Sequence, residues 1–340
     1  MSRLSLKEIA ELADTSKSTV SLYLNQPHRV RAKTAERIKK VIDTTGYSPN
    51  VLARNFRKGS TGLIIVGMPT VGYDLFEEAM RGCRRVAEEK GYNLLVQETA
   101  FNEASPEQLS KMIVSKEADG VLSFSAPPPG LGDRRNLQTS QLPFVVGFEF
   151  IRAETQTSPS VHIDNAAAVR QATEYLISVG HERIAFLGGM ESLHWTCERQ
   201  EAYKATLTDA GLPIIEELIL TGGMLIEAGR SLTRRLLSLR QPPTAIFCAG
   251  GDQVAIGAIH EIKSVGLKVP TDISVIGFDD LCYAAVSDPP LTTIAQPALE
   301  IGEKCMRRLC AIIEDGDVDS SPWIVPHQLI IRNSVAPPKA

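Results

Sequence analysis

Nucleophilic and metal chemistry would need clustered histidines, cysteines and carboxylates, and this chain scatters them. Cys83, Cys197, Cys248, Cys282, Cys305 and Cys310 include no Cys-x-x-Cys pair. Five of the six lie in apolar or helical runs and read as small hydrophobes of a reducing compartment. Six histidines are spread thinly, and His181, in a Gly-His-Glu-Arg turn, reads as structural. The neighbouring acids Asp279 and Asp280, and Glu77 and Glu78, point apart on any regular element. No GxGxxG, GxxxxGK[ST], GxSxG or HExxH is present. The chemistry expected is therefore binding and not turnover, with no cofactor and no metal.

Charge gives the first positive signal. Residues 1–60 carry twelve Lys and Arg against five acids, whereas the remaining 280 residues hold 24 against 35. A basic head on an acidic body suits a polyanion-binding module joined to one that binds something else. No run of 18 apolar residues occurs, so no membrane partner is expected. The start, Met1-Ser2-Arg3-Leu4, lacks the apolar stretch of a secretory leader, and a cytoplasmic location is expected.

The elements that position this charge are short helices. Ser5-Leu6-Lys7-Glu8 is a capping box, followed by apolar Ile9, Ala10 and Ala13 on one helical face. Asp14-Thr15 breaks the run, and Asp tolerates a left-handed turn. Ser16 caps a second helix with Val20 and Leu24 inward and Lys17, Ser18, Ser21 and Leu22 outward. A third helix buries Ala35, Ile38, Val41 and Ile42 and stops at Gly46. Two short helices, a tight turn and a supporting third form a helix-turn-helix, whose second helix fits the major groove.

Leu6-Lys7-Glu8-Ile9-Ala10, Ser16-Lys17-Ser18-Thr19-Val20-Ser21, Leu24-Asn25 and Gly46-Tyr47-Ser48-Pro49-Asn50 resemble the headpiece of the lactose-repressor (LacI/GalR) family. The resemblance continues over nearly the whole chain. It implies that Lys17, Ser18 and Leu22 read the major groove, while Ser16, Thr19, Ser21 and Asn25 hold phosphates or the fold; Tyr47 is a further candidate DNA contact. Two positions depart from the family pattern. Leu22 stands where many members have Arg and cannot donate to guanine, which leaves a thymine methyl or a weaker reading. Arg31 stands where Ser often caps the third helix, which loses a cap but adds a phosphate-seeking charge as a candidate DNA contact. Residues 48–57 resemble a hinge helix that enters the minor groove; Asn50, Ala53 and Phe56 would make its contacts. Phe56 would be the wedge, where Leu is usual.

From Gly62 onward, strand-like runs alternate with helical stretches. The first set is Leu63–Val66, Asn93–Gln97, Gly120–Phe124 and Phe144–Phe148; the second is Ser160–Ile163, Ile184–Leu187, Ala245–Cys248 and Ser274–Phe278. Such runs suit parallel strands covered on both faces. Lys90–Leu95 echoes Val179–Ile184, and Ala118–Leu122 echoes Pro243–Phe247. The fold class expected is α/β: the headpiece plus a two-lobed, periplasmic-binding-protein-like domain of doubly wound parallel sheets. The domains expected are 1–47, a hinge at 48–60, and an effector and dimerisation domain at 61–340. Lobe one would hold about 61–160 and 292–323, and lobe two about 161–291 and 324–340. The stretch Leu291–Pro297 resembles the family's late strand that returns to lobe one. Ala126–Gly132, rich in Pro and Gly, reads as a surface loop.

The resemblance implies that Asp279 and Arg199 grip polar groups of an effector from across a cleft. Asp252 joins them, and Tyr73, Phe76 and Trp195 could stack on a ring. Sugar-responsive members often have Asn-Asp where this chain has Gly251-Asp252. A sugar or sugar derivative is ranked first, with a purine, nucleoside or organic acid open. The expected protein is an effector-controlled, homodimeric regulator of double-stranded operator DNA, repressing by default. A solute-binding protein without regulatory DNA binding is the alternative.

Overall fold

The computed structural model describes residues 4–47, 60–70, 72–98, 115, 117–124, 142–149, 159–191, 193–316 and 319–339. Its contacts divide the chain into two units, Met1–Gly62 and Leu63–Ala340. The loop at 126–132 and residues 48–57 lie outside the described residues.

In the first unit, α1 (Leu6–Leu12), α2 (Lys17–Asn25) and α3 (Ala32–Thr45) surround Ile9, Ala10, Ala13, Val20 and Ile38. The capping box forms as expected: Ser5 N donates to Glu8 Oε2 at 2.6 Å and Glu8 N to Ser5 Oγ at 3.3 Å. Asp14 takes φ +47° in the turn between α1 and α2. Its carboxylate and its carbonyl both accept from Arg37 of α3, at 3.0 Å each. Gly46 ends α3 with φ +62°, a conformation that costs glycine nothing. A 3-10 turn, Pro27–Arg29, lies between α2 and α3.

The second unit contains two six-stranded sheets. The first lobe contributes β1 (Leu63–Met68), α4 (Asp74–Lys90), β2 (Asn93–Glu98), β3 (Gly120–Ser123), β4 (Phe144–Gly147) and β5 (Ser160–His162). The second contributes α5 (Asn165–Ser178), β6 (Ile184–Gly188), α6 (His194–Asp209), β7 (Ile219–Thr221) and α7 (Ile226–Leu237). It continues through β8 (Ala245–Phe247), α8 (Asp252–Ser264), β9 (Ser274–Asp279) and β10 (Thr292–Ala295). The chain then runs through α9 (Ala298–Asp315), β11 (Trp323–Ile324) and β12 (Gln328–Ile330). The strand orders are β11-β5-β4-β3-β1-β2 and β12-β10-β9-β8-β6-β7. All pairs are parallel except β10 with β12. The inner strands β3, β4, β6, β8 and β9 are buried throughout, which is why they read as unbroken apolar runs.

Every expected strand is present, but two were assigned to the wrong lobe. The run at Ser160 pairs with β4 and belongs to the first sheet. The run at Thr292 pairs with β9 and belongs to the second, so the chain returns to lobe one after Gln296, where α9 packs on α4. The matching strand orders also make β3 the counterpart of β8, as the Ala118 and Pro243 echo implied. The Lys90 and Val179 echo is different, because Gly91 precedes edge strand β2 whereas Gly180 precedes inner strand β6. Both glycines have positive φ at a helix end, so the shared word encodes a helix stop and not a repeat.

Candidate DNA-reading helix and effector pocket

The first candidate site is the N-terminal end of α2. Ser16 Oγ accepts from Thr19 N at 3.1 Å and shares 2.7 Å hydrogen bonds with the hydroxyls of Ser18 and Thr19. Ser16 and Thr19 thus serve the cap, and the Ser18 hydroxyl is tied to it. Lys17 and Ser18 are exposed, while Ser21, Leu22 and Tyr47 are half-buried. Lys7, Arg37 and Lys39 pair with Glu11, Asp14 and Asp43. Among the described residues of this unit Lys17, Arg29, Arg31, Lys33 and Lys40 have no ion pair, which leaves five cations whose charge is not neutralised by a carboxylate. Arg31 occupies the α3 cap position with no side-chain cap bond, as its side chain requires. The side chain of Asn25, and Asn50, Ala53 and Phe56 entirely, lie outside the described residues.

The second site is a pocket where the strand ends of the two lobes meet. Its cavity volume is about 30 Å³, within about 420 Å³ of space between its walls that includes open solvent. Lobe one supplies Phe76 from α4, Phe124 after β3, and Phe148 and Glu149 after β4. These three phenyl rings touch one another at centroid separations of 5.5–6.2 Å and form an apolar wall. Lobe two supplies Trp195 and Arg199 from α6, Gly250 after β8 and Asp279 at the end of β9, with Gln296 on the returning segment.

Arg199 is buried and fixed on four sides. Its Nε donates to Asn165 Oδ1 at 2.9 Å and its Nη1 to Ala249 O at 2.7 Å. The guanidinium lies 3.6 Å from the Phe278 ring centroid and 4.4 Å from that of Trp195. Nη2 has no protein acceptor among the described residues, so this fork presents a free donor. Burial lowers the Arg199 pKa to about 10, opposed by the nearby Asp279 carboxylate. Asp279 is pushed up to about 6 by burial, opposed by Arg199 and by hydrogen bonds from Tyr73 and Gln296. The two form no direct ion pair; each balances the other's charge across the pocket.

The structure places the expected effector residues unequally. Phe76, Trp195, Arg199 and Asp279 line the pocket together. Asp252 does not: its Oδ1 accepts from Thr293 at 2.6 Å and its Oδ2 from Leu281 N at 2.7 Å, so it clamps lobe two internally. Tyr73 is not available to stack on a ring, because it is buried and its hydroxyl donates to Asp279 Oδ2 at 2.7 Å. His181 is structural, held by Thr244, Ser274 and the carbonyl of Ala336. Four cysteines are buried, and Cys197 and Cys282 are exposed. Glu149 and Gln296 were missed. The signal for Glu149 was present, since Val145-Val146-Gly147-Phe148-Glu149 and Val275-Ile276-Gly277-Phe278-Asp279 are equivalent strand ends of the two sheets.

Comparison with known proteins agrees with this division. The model of bacterial regulatory proteins of the lacI family matches residues 5–50, and that of a periplasmic binding protein-like domain matches residues 173–335. The chain is 35% identical over 332 residues to the HTH-type transcriptional repressor CytR of Escherichia coli strain K12, covering 97% of this chain and 95% of that one. Catabolite control protein A of Priestia megaterium is 31% identical, covering 96% and 98%. A structure titled transcriptional regulator CelR-cellobiose complex superposes with TM-score 0.74 at 27% identity, covering 98% of this chain and 100% of that one. The lac repressor dimer bound to operator, 23% identical with the same coverages, shares the fold with TM-score 0.84. With its capped helix-turn-helix, its two-lobed body and these relatives, the chain belongs to the LacI family of DNA-binding transcriptional regulators.

Proposed function

We propose that the chain represses transcription as a homodimer on a near-palindromic operator, and that a neutral, hydroxyl-bearing ring compound in the pocket controls its DNA affinity. One observation carries the effector reading: the Arg199 Nη2 donor and the Asp279 carboxylate face a wall of three phenyl rings. A sugar offers hydroxyls to the polar side and ring C–H faces to the aromatic side. The cellobiose of the CelR complex supports this class. A nucleoside is the second reading, favoured by the breadth of the phenyl wall. An organic acid fits poorly, because Glu149 and Asp279 place two carboxylates on the pocket.

The pocket is read as a place of binding and not of reaction. Among the described residues no cluster of three His, Cys, Asp or Glu could hold a metal, and no helix is long and apolar enough to cross a membrane. A cytoplasmic location fits this reading. The dimer places two α2 helices on half-sites, with Lys17 and Leu22 at base edges and Arg31 on phosphate. Control requires the effector to bind two lobe arrangements unequally; complete switching takes about 10⁴-fold. The test is a thermal-shift screen of sugars, nucleosides and organic acids, then an operator gel shift with each hit. A sugar or nucleoside that shifts both the melt and the DNA affinity is expected. Ligands that bind without changing operator affinity would overturn the regulatory reading.

A further inference from the structure

Tyr73 is the last residue before α4, in lobe one, and it is 1% exposed. Its hydroxyl reaches across to Asp279 Oδ2 in lobe two at 2.7 Å. The other carboxylate oxygen accepts from Gln296 Nε2 at 2.7 Å, on the segment that leads back to lobe one. A buried phenol with its pKa raised by burial stays neutral and keeps the proton it donates. One residue further along, Asp74 Oδ2 accepts from the Cys282 thiol at 3.5 Å, a second contact between the lobes on the same rim.

Gly251 explains how the phenol fits. A Cβ at that position would overlap Tyr73 Oη and lie 3.1 Å from Asp279 Oδ2. Its backbone, at φ +126°, is one that only glycine adopts without strain. The space a side chain at 251 would fill is thus occupied by a side chain from the opposite lobe.

We propose that Tyr73 is a latch and a positioning residue: it draws the two lobes together in the absence of ligand and pre-sets the Asp279 carboxylate, with Gly251 as the space that admits it. A hydrogen bond to a charged acceptor is among the stronger neutral-donor contacts, and it is made only when the lobes meet. Removing the hydroxyl lowers the closed population, and so weakens any ligand that needs the closed cleft by the same factor. That consequence rests on the effector reading above, whereas the latch itself does not.

The experiment needs no ligand. In the full chain, Asp74→Cys is combined with native Cys282 and with Cys197→Ser, so that closure can be trapped as an intramolecular disulfide under mild oxidation. The same chain with Tyr73→Phe is expected to cross-link roughly tenfold more slowly while still unfolding in one cooperative transition. Gly251→Ala, which must expel the phenol, is expected to slow it similarly and serves if Tyr73→Phe does not fold. Cross-linking within about twofold of the parent in the variant that folds overturns the latch. An intact cross-linking difference in a chain whose operator affinity no bound ligand changes would overturn the effector reading and leave the latch standing.

Discussion

The two lobes end equivalent strands with nearly the same word, and they use it differently. In lobe one, Gly147-Phe148-Glu149 turns at Phe148, which has φ +65°. Its ring stands edge-on to Phe76 and Phe124 and faces the pocket. In lobe two, Gly277-Phe278-Asp279 stays extended through the aromatic and turns one residue later, with Asp279 at φ +111°. Phe278 is then wholly buried beneath the Arg199 guanidinium, and the carboxylate faces the pocket. A shift of one residue in the left-handed position turns the phenyl ring into the pocket on one side and buries it beneath a guanidinium on the other. A similar sequence on two sheets thus gives the pocket two unlike walls.

Three changes would break or sharpen this contrast. The largest effect is expected from Arg199→Ala, which strands Asn165 Oδ1, the Ala249 carbonyl and the buried Asp279 charge together. It should destabilise the second unit by about 4 kcal/mol in urea unfolding, and a cost below about 1 kcal/mol would mean the ionic half is not built on Arg199.

A smaller effect concerns pH. The folded pKa of Asp279, about 6, lies above its usual 3.8, so the folded chain holds that proton more tightly than the unfolded chain. Its contribution is therefore fully present below about pH 4 and is lost as pH rises through about 6, by roughly 3 kcal/mol. Asp252, also raised well above its usual value by burial, acts in the same direction. Melting curves from pH 4 to 7 should show this loss, and Asp279→Asn should flatten it. A slope unaltered by that substitution would place the titration elsewhere.

The smallest effect is expected from Glu149→Gln. Removing the lobe-one carboxylate should make the pocket about fivefold more tolerant of an acidic analogue of whatever neutral ligand binds, read by calorimetry. An unchanged preference would show that Glu149 does not set the sign of the pocket.

Much of the first unit was legible because its signals are local. Ser5 with Glu8, Ser16 with Thr19, and Gly46 each act within four residues, and the structure forms all three. The strands of the second unit were equally visible as apolar runs. Their sheet membership was not, because β5 and β10 are assigned by ladders to strands far along the chain. Arg199 and Asp279 were found by resemblance, and the pocket brings them together. Asp252 looked equivalent to them in sequence, yet its partners Thr293 and Leu281 make it a clamp.

What the sequence determined by itself is the set of short-range choices: where helices start and stop, which runs are buried on both faces, and which segment carries excess positive charge. These follow from capping, hydrophobic period and charge, none of which needs a distant partner. Only the tertiary structure decided which carboxylate faces the pocket, which aromatic lies under a guanidinium, and that Tyr73 spends its hydroxyl on the opposite lobe. Those outcomes depend on the space left between residues as much as 206 positions apart, and no local pattern encodes that space.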